Sequence, residues 1–128
     1  MKVLLDTHTL LWWWTDDPQL SPTARTVIGA MGNTVFVSAA SAWEVATKQR
    51  LGKLPNLGDV VPRFHELVQA DGFEHLPVTF QHALKAGGYP WGHRDPFDRM
   101  LAAQSEIESL ALLSCDSTLA ACGVRTIW

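Results

Sequence analysis

Four carboxylates, Asp6, Glu44, Asp98 and Asp116, hold the positions from which this chain could do chemistry. Asp6 and Asp116 each come directly after a run that reads as a buried strand, Val3–Leu5 and Ala111–Ser114. Glu44 falls about two turns into the helix that leaves a further strand, and Asp98 lies in the first turn of a long helix. In an open α/β sheet, ligands sit outside the carboxyl ends of the strands, so all four acids can converge above one edge. Like charges gathered there repel unless something positive lies between them. Oxygen donors without a Cys or His pattern favour Mg²⁺ or Mn²⁺, which keeps its waters and binds substrate phosphates. That is the equipment for phosphoester hydrolysis by an activated water.

Taken singly, each acid also has a structural explanation. Ser41-x-x-Glu44 reads as a capping box, and Glu44 with Lys48 is a favourable i, i+4 pair. Asp95, Asp98 and Asp116 all suit helix starts, and Asp6 suits the cap of a helix beginning at Thr7. It is the joint placement that favours a site. Within the pair Asp95 and Asp98, Pro96 lacks an N–H and belongs at the first helical position. This makes Asp95 the N-cap and leaves Asp98 to project from the first turn.

The elements that must position these residues alternate along the chain. The continuous apolar run Val3–Leu5 suits a strand covered on both faces. A short helix follows over Thr7–Trp14. Ser21 and Pro22 start a second helix, with Ala24, Val27, Ile28 and Met31 as its apolar stripe. Thr34–Val37 is a second buried strand, and Ser38–Leu51 a helix stopped by Gly52. A weaker helix is expected over Leu57–Ala70, a short strand at Phe73–Leu76 and a helix over Thr79–Ala86. The loop Tyr89–Arg94 leads to the long helix, then to strand Ala111–Ser114. Asp116 caps a short helix ending at Gly123, and Val124–Trp128 closes the chain as a strand. Such alternation predicts an α/β fold, a three-layer α/β/α sandwich around a central parallel sheet with Val3–Leu5 at its centre.

The chain has 128 residues, 47% hydrophobic and 18% charged, which fits a single domain over 1–128 with a real core. Asp6 and His8 interrupt the opening apolar run, so no signal peptide is expected, and no stretch reads as a membrane helix. Cys115 and Cys122 match neither a metal-binding spacing nor a disulfide framework, pointing to a cytoplasmic protein. The net charge of −3 argues at first against nucleic acid. Setting the four candidate acids aside from thirteen leaves nine acidic residues against ten basic ones. Lys48, Arg50, Lys53, Arg94 and Arg99 flank the candidate site and are placed to guide a phosphate backbone.

The segments Leu4-Leu-Asp-Thr-His8, Ser41-Ala-Trp-Glu-Val-Ala-Thr-Lys48, Arg50-Leu-Gly-Lys-Leu54, His93-Arg-Asp-Pro-Phe-Asp-Arg99, Leu101-Ala-Ala-Gln104 and Leu113-Ser-Cys-Asp116 occur in order along the chain. With them the chain resembles a PIN domain, and in particular the VapC-type ribonuclease toxins of bacterial toxin–antitoxin pairs. The ending Cys122-Gly-Val-Arg-Thr-Ile-Trp128 is also similar. The resemblance implies a PIN-like fold in which Asp6, Glu44, Asp98 and Asp116 are the acidic tetrad that binds Mg²⁺ (or Mn²⁺) and cleaves RNA. It also implies products with a 5′-phosphate and a 3′-hydroxyl, a homodimer, and a cognate antitoxin whose tail covers an apolar groove near the acids. Thr47 departs from the family's more usual aliphatic residue, and the run Trp12-Trp13-Trp14 is richer in tryptophan than the family requires.

Three other readings compete. A phosphatase with an aspartyl nucleophile needs Asp-x-Asp after the first strand, where this chain has Asp6-Thr7-His8. A phosphoacceptor receiver domain needs an acidic pair there and a late Lys, but Lys85 is the last. A non-catalytic PIN-scaffold module that binds RNA or an antitoxin-like partner is opposed by the intact tetrad. His8 and His93 lie near Asp6 and Asp95, with a structural role expected for each, since an oxygen site does not need them. Three consecutive tryptophans cannot all face inward from one short helix; core packing accounts for two and a partner surface for the third.

Overall fold

In the computed structural model, which describes residues 1–128, the chain runs β1 (Lys2–Leu5), α1 (Thr7–Trp14), α2 (Pro22–Gly29), β2 (Thr34–Ser38), α3 (Ala39–Arg50), α4 (Phe64–Ala70), β3 (Glu74–Leu76), α5 (Phe80–Gly88), α6 (Pro96–Ile107), β4 (Ala111–Leu113), α7 (Ser117–Ala121) and β5 (Thr126–Ile127). The strands form one sheet in the order β3-β2-β1-β4-β5, with every pairing parallel. β1 is therefore central: Leu4 pairs with Phe36 on one side and Leu112 on the other. The doubly apolar run required this, because Val3, Leu4 and Leu5 are buried together with β4. Alternate residues of the same strands feed different layers. Val3 and Leu5 join Leu10, Leu20, Ile28 and Val68, whereas Leu4 joins Leu101, Leu110 and Leu119.

Several expected boundaries move, each for a local reason. α4 begins at Phe64 rather than Leu57, because Pro62 offers no N–H and disfavours helical backbone at Val61. The preceding segment forms single turns instead, such as Arg63 N–H to the Asp59 carbonyl at 3.2 Å. α2 ends at Gly29, so Met31 stands exposed and is not part of the apolar stripe. The capping box assigned to Ser41 and Glu44 does not form. Ser38 is the N-cap of α3 and accepts from the Ala40 N–H at 3.0 Å, which puts Ser41 inside the helix. The stop after α3 is as expected, with Gly52 at φ +72°, in the left-handed region that favours glycine. β5 is shorter than Val124–Trp128. No helix is long and apolar enough to cross a membrane.

Arg99, expected to face a phosphate backbone, is used inside the fold. Its guanidinium donates to the carbonyls of Ala86 (2.9 Å), Tyr89 (2.6 Å) and His93 (2.9 Å), with longer contacts to Gly87 and Trp91. These acceptors lie in the last turn of α5 and in the connection from it to α6, and a planar five-donor fork suits several carbonyls at once. Lysine cannot reproduce that fork. Arg99→Lys is expected to lower the melting temperature by several degrees, roughly the effect of losing one or two buried bonds, and to open residues 87–94 to protease. Limited proteolysis followed by mass spectrometry checks it.

Candidate active site

The carboxyl ends of β1 and β4, the helices α1 and α3, and the starts of α6 and α7 surround a cleft of about 320 Å³. All four candidate acids line it, together with His8, Thr9, Trp12, Lys48, Asp95 and Cys115. Sequence reasoning placed them at one edge, and the folded chain brings them to one cavity.

Asp6 directly follows β1 and is buried. It sits at the N-cap position of α1, yet its carboxylate makes no cap bond, so the capping explanation fails for this residue. Instead Oδ2 accepts from the Ser114 hydroxyl at 2.6 Å, and that oxygen in turn accepts the Asp116 N–H at 3.0 Å. Burial raises the Asp6 pKa; the hydrogen bond from Ser114 and the charge of His8 oppose the rise, and Glu44 adds to it.

Glu44 is only 3% exposed. Its Oε2 pairs with the Lys48 ammonium one turn on, as the i, i+4 spacing predicted. Its Oε1 is buried with no hydrogen-bond partner. A Thr7–Ser41 hydroxyl contact at 2.9 Å joins the start of α1 to α3, so Asp6 and Glu44 are held from adjoining elements. Burial pulls the Lys48 pKa down, but the bond from Glu44 and the charges of Glu44, Asp95 and Asp98 outweigh it, and the net shift is upward.

Asp95 caps α6, its Oδ1 accepting the N–H groups of Phe97 (2.9 Å) and Asp98 (3.1 Å). Asp98 projects from the first turn, but it is not free. Its Oδ2 lies 2.8 Å from His93 Nε2. His93, Asp98 and Asp116 offer ligand atoms within 4.8 Å of one another. His93, expected to be structural, reaches the acids through this contact. It does so from a loop that turns back on its own helix, five residues ahead of Asp98, a contact that no local sequence signal marks. Asp116 caps α7 through Oδ1, which accepts the Thr118 N–H at 2.8 Å, and so is both cap and cleft residue.

The basic residues divide. Lys48 lines the cleft, and Lys53 lines an adjoining groove. Arg94 borders an apolar cavity with Trp43 and Phe97, and Arg99 holds the loop. Arg50 is exposed.

An oxygen donor set with one buried carboxylate oxygen left without a partner fits a hard divalent cation. Asp98 points the same way: its pKa is pushed up to about 6, chiefly by burial, partly offset by the His93 bond, and further raised by Asp95, Asp6 and Asp116.

A sequence model of the PIN domain family matches residues 3–123. Ribonuclease VapC16 of Mycobacterium tuberculosis is 34% identical over 68 residues, which cover 52% of this chain and 48% of that protein. The match thus spans about half the length of that relative. Among solved structures, VapBC2 from Rickettsia felis bound to a promoter DNA fragment aligns with a TM-score of 0.66 at 13% identity, covering 99% of this chain and 98% of that one. FitAcB from Neisseria gonorrhoeae aligns with a TM-score of 0.63 at 21% identity, covering 100% of this chain and 97% of that one.

The two aspartates of α6 separate experimentally. In EDTA, folded Asp98 holds a proton up to about pH 6, whereas an unfolded Asp releases it near pH 4. The folded state binds more protons across that window, so this group's contribution to stability falls as pH rises through it. Asp98→Asn lacks that slope. Its stability relative to the parent is expected to grow between about pH 4 and pH 6 and then level off. Asp95→Ala should lose on the order of 1 kcal/mol, as a missing cap does. Urea denaturation across pH measures both.

Proposed function

The chain belongs to the PIN-domain family, and on that premise we propose that it is the toxin of a toxin–antitoxin pair, a Mg²⁺- or Mn²⁺-dependent endoribonuclease. The observation that carries the reading is the partnerless Oε1 of buried Glu44, in a cleft that also holds Asp6, Asp98 and Asp116. A buried carboxylate oxygen with nothing to accept is costly, and a cation removes the cost. A non-catalytic scaffold has no use for that arrangement.

Asp6, Asp98, Asp116 and the free oxygen of Glu44 would hold the ion. When bound, a divalent cation neutralises the phosphodiester and lowers the pKa of an attacking water. The chain's own residues prepare the site. Ser114 fixes the Asp6 carboxylate, and Lys48 holds one oxygen of Glu44. His93 holds Asp98 toward Asp116. Hydrolysis then leaves a 5′-phosphate and a 3′-hydroxyl. We place the protein in the cytoplasm, where RNA is made; both cysteines are free.

Two partners complete the proposal. A cognate antitoxin would lay a segment in a groove of about 440 Å³ between α1 and residues 53–57, which meets the acidic cleft at His8 and Trp12. A second copy of the chain would cover the exposed apolar side chains Phe80 and Leu84, one turn apart on α5, and Trp43 of α3, which are 71%, 73% and 63% exposed. Large exposed apolar residues of this kind mark interaction surfaces.

Asp6→Asn is expected to abolish cleavage of RNA with Mg²⁺ while melting near the parent temperature, and EDTA should abolish the parent's activity. Mn²⁺ should raise the parent's melting temperature and leave that of Asp6→Asn nearly unmoved. Full activity in EDTA contradicts the metal reading. For the dimer, light scattering should give twice the chain mass, falling to one chain mass in Leu84→Glu. A parent that remains monomeric at high concentration removes that part of the proposal.

A further inference from the structure

Trp12, Trp13 and Trp14 are consecutive, but the fold uses them differently. Trp13 and Trp14 both donate their indole N–H to Asp71 Oδ2, at 3.2 and 2.9 Å. Trp13 also packs on Phe73 and Trp14 edge-on against Phe64. Trp12 has no such tie. Its side chain borders both the acidic cleft and the adjoining groove. Trp128 meets it edge-on with ring centroids 5.8 Å apart, which braces the indole. His8, one turn earlier on α1 and exposed, lies with its ring 5.9 Å from that of Trp12. His8 lines the acidic cleft with Trp12, so the two rings form an aromatic wall beside the acids.

We infer that Trp12, flanked by His8, is a stacking wall for one unpaired nucleobase of the RNA next to the phosphate being cut; the inference rests on the ribonuclease reading. The chain carries a net charge of −3, and the cleft concentrates acids, so attraction for the phosphate backbone is weak. Of the five basic residues near the site, Arg99 is consumed by the fold and Lys48 by Glu44. An aromatic face supplies affinity that does not depend on charge and tolerates any base. Bases inside a duplex cannot reach such a face, so the substrate is a single-stranded segment, a loop or an end. A wall of this kind acts on binding. Trp12 therefore sets KM and the position of the cut, leaving kcat to the acids.

The test uses a fluorescent single-stranded RNA and a series in which each nucleotide in turn lacks its base. Binding is read by anisotropy in an Asp6→Asn background, so that the RNA stays intact, and cleavage is read in the parent background with Mg²⁺. Trp12→Leu should weaken binding of intact RNA and raise KM by roughly tenfold, the order expected for one stacked base. Trp12→Phe should recover most of the loss and serves if Trp12→Leu does not fold. One base-free RNA should bind the parent as weakly as Trp12→Leu binds intact RNA, and on that RNA Trp12→Leu should add no further loss. Equal losses on every RNA of the series, or none, overturn the stacking wall while leaving the nuclease reading intact. A parent that neither binds nor cleaves single-stranded RNA overturns both.

Discussion

Burial of like charge at the end of the central strand is the constraint around which this molecule is built. Asp6 and Glu44 are 7% and 3% exposed, and Asp98 and Asp116 border the same cleft. A carboxylate taken out of water is tolerated only when paired or hydrogen-bonded, and a like-charged neighbour makes its ionisation harder still. The protein meets part of this with one ammonium, that of Lys48, and one hydroxyl, that of Ser114. Burial still raises the pKa of Asp6 against the Ser114 bond, and that of Asp98 against the bond to His93. Such a cluster is a polar site with unmet demand for positive charge.

Holding such a cluster together requires polar bonds that fix the ends of elements. The Ser38 hydroxyl donates to Gln104 at 2.5 Å, tying the β2–α3 junction to α6. Thr9 donates to the Leu113 carbonyl at 2.8 Å, and the Asp6 N–H to the same carbonyl at 3.1 Å, locking α1 against the end of β4. Each bond contributes only about 1 kcal/mol net. Their larger effect is positional, because the groups they join lie at strand ends where no sheet ladder continues.

The sheet and the acids were legible in the sequence because their signals are local. A continuous apolar run specifies a doubly covered strand; Asp6 follows one directly and Asp116 comes three residues after another. Pro96 fixed the register of α6 and so separated Asp95 from Asp98. What could not be read depends on contacts between distant residues. Ser38 and Ser41 are equally good caps by type, and the choice follows from where β2 stops. Arg99 looks like any surface arginine until the loop from α5 folds back over it. His93 reaches Asp98 only because of that same loop, and no spacing rule records it.

A carboxylate can serve the fold and the site together because it has two oxygens. Thr118 N–H takes Oδ1 of Asp116, His93 takes Oδ2 of Asp98, Ser114 takes Oδ2 of Asp6 and Lys48 takes Oε2 of Glu44. In each acid one oxygen is anchored by the protein, which removes rotamer freedom that a ligand would otherwise have to freeze. The choice between cap and ligand posed by the sequence is therefore a false one for Asp116, which is held as a cap in the orientation that lines the cleft. Asp95 shows the limit of the argument. Its Oδ1 accepts two backbone N–H groups at the start of α6, and residue type and cleft position alone do not set it apart from Asp98. Contact does. Asp98 approaches Asp116 and His93 closely enough to share one ion with them, and Asp95 does not belong to that group.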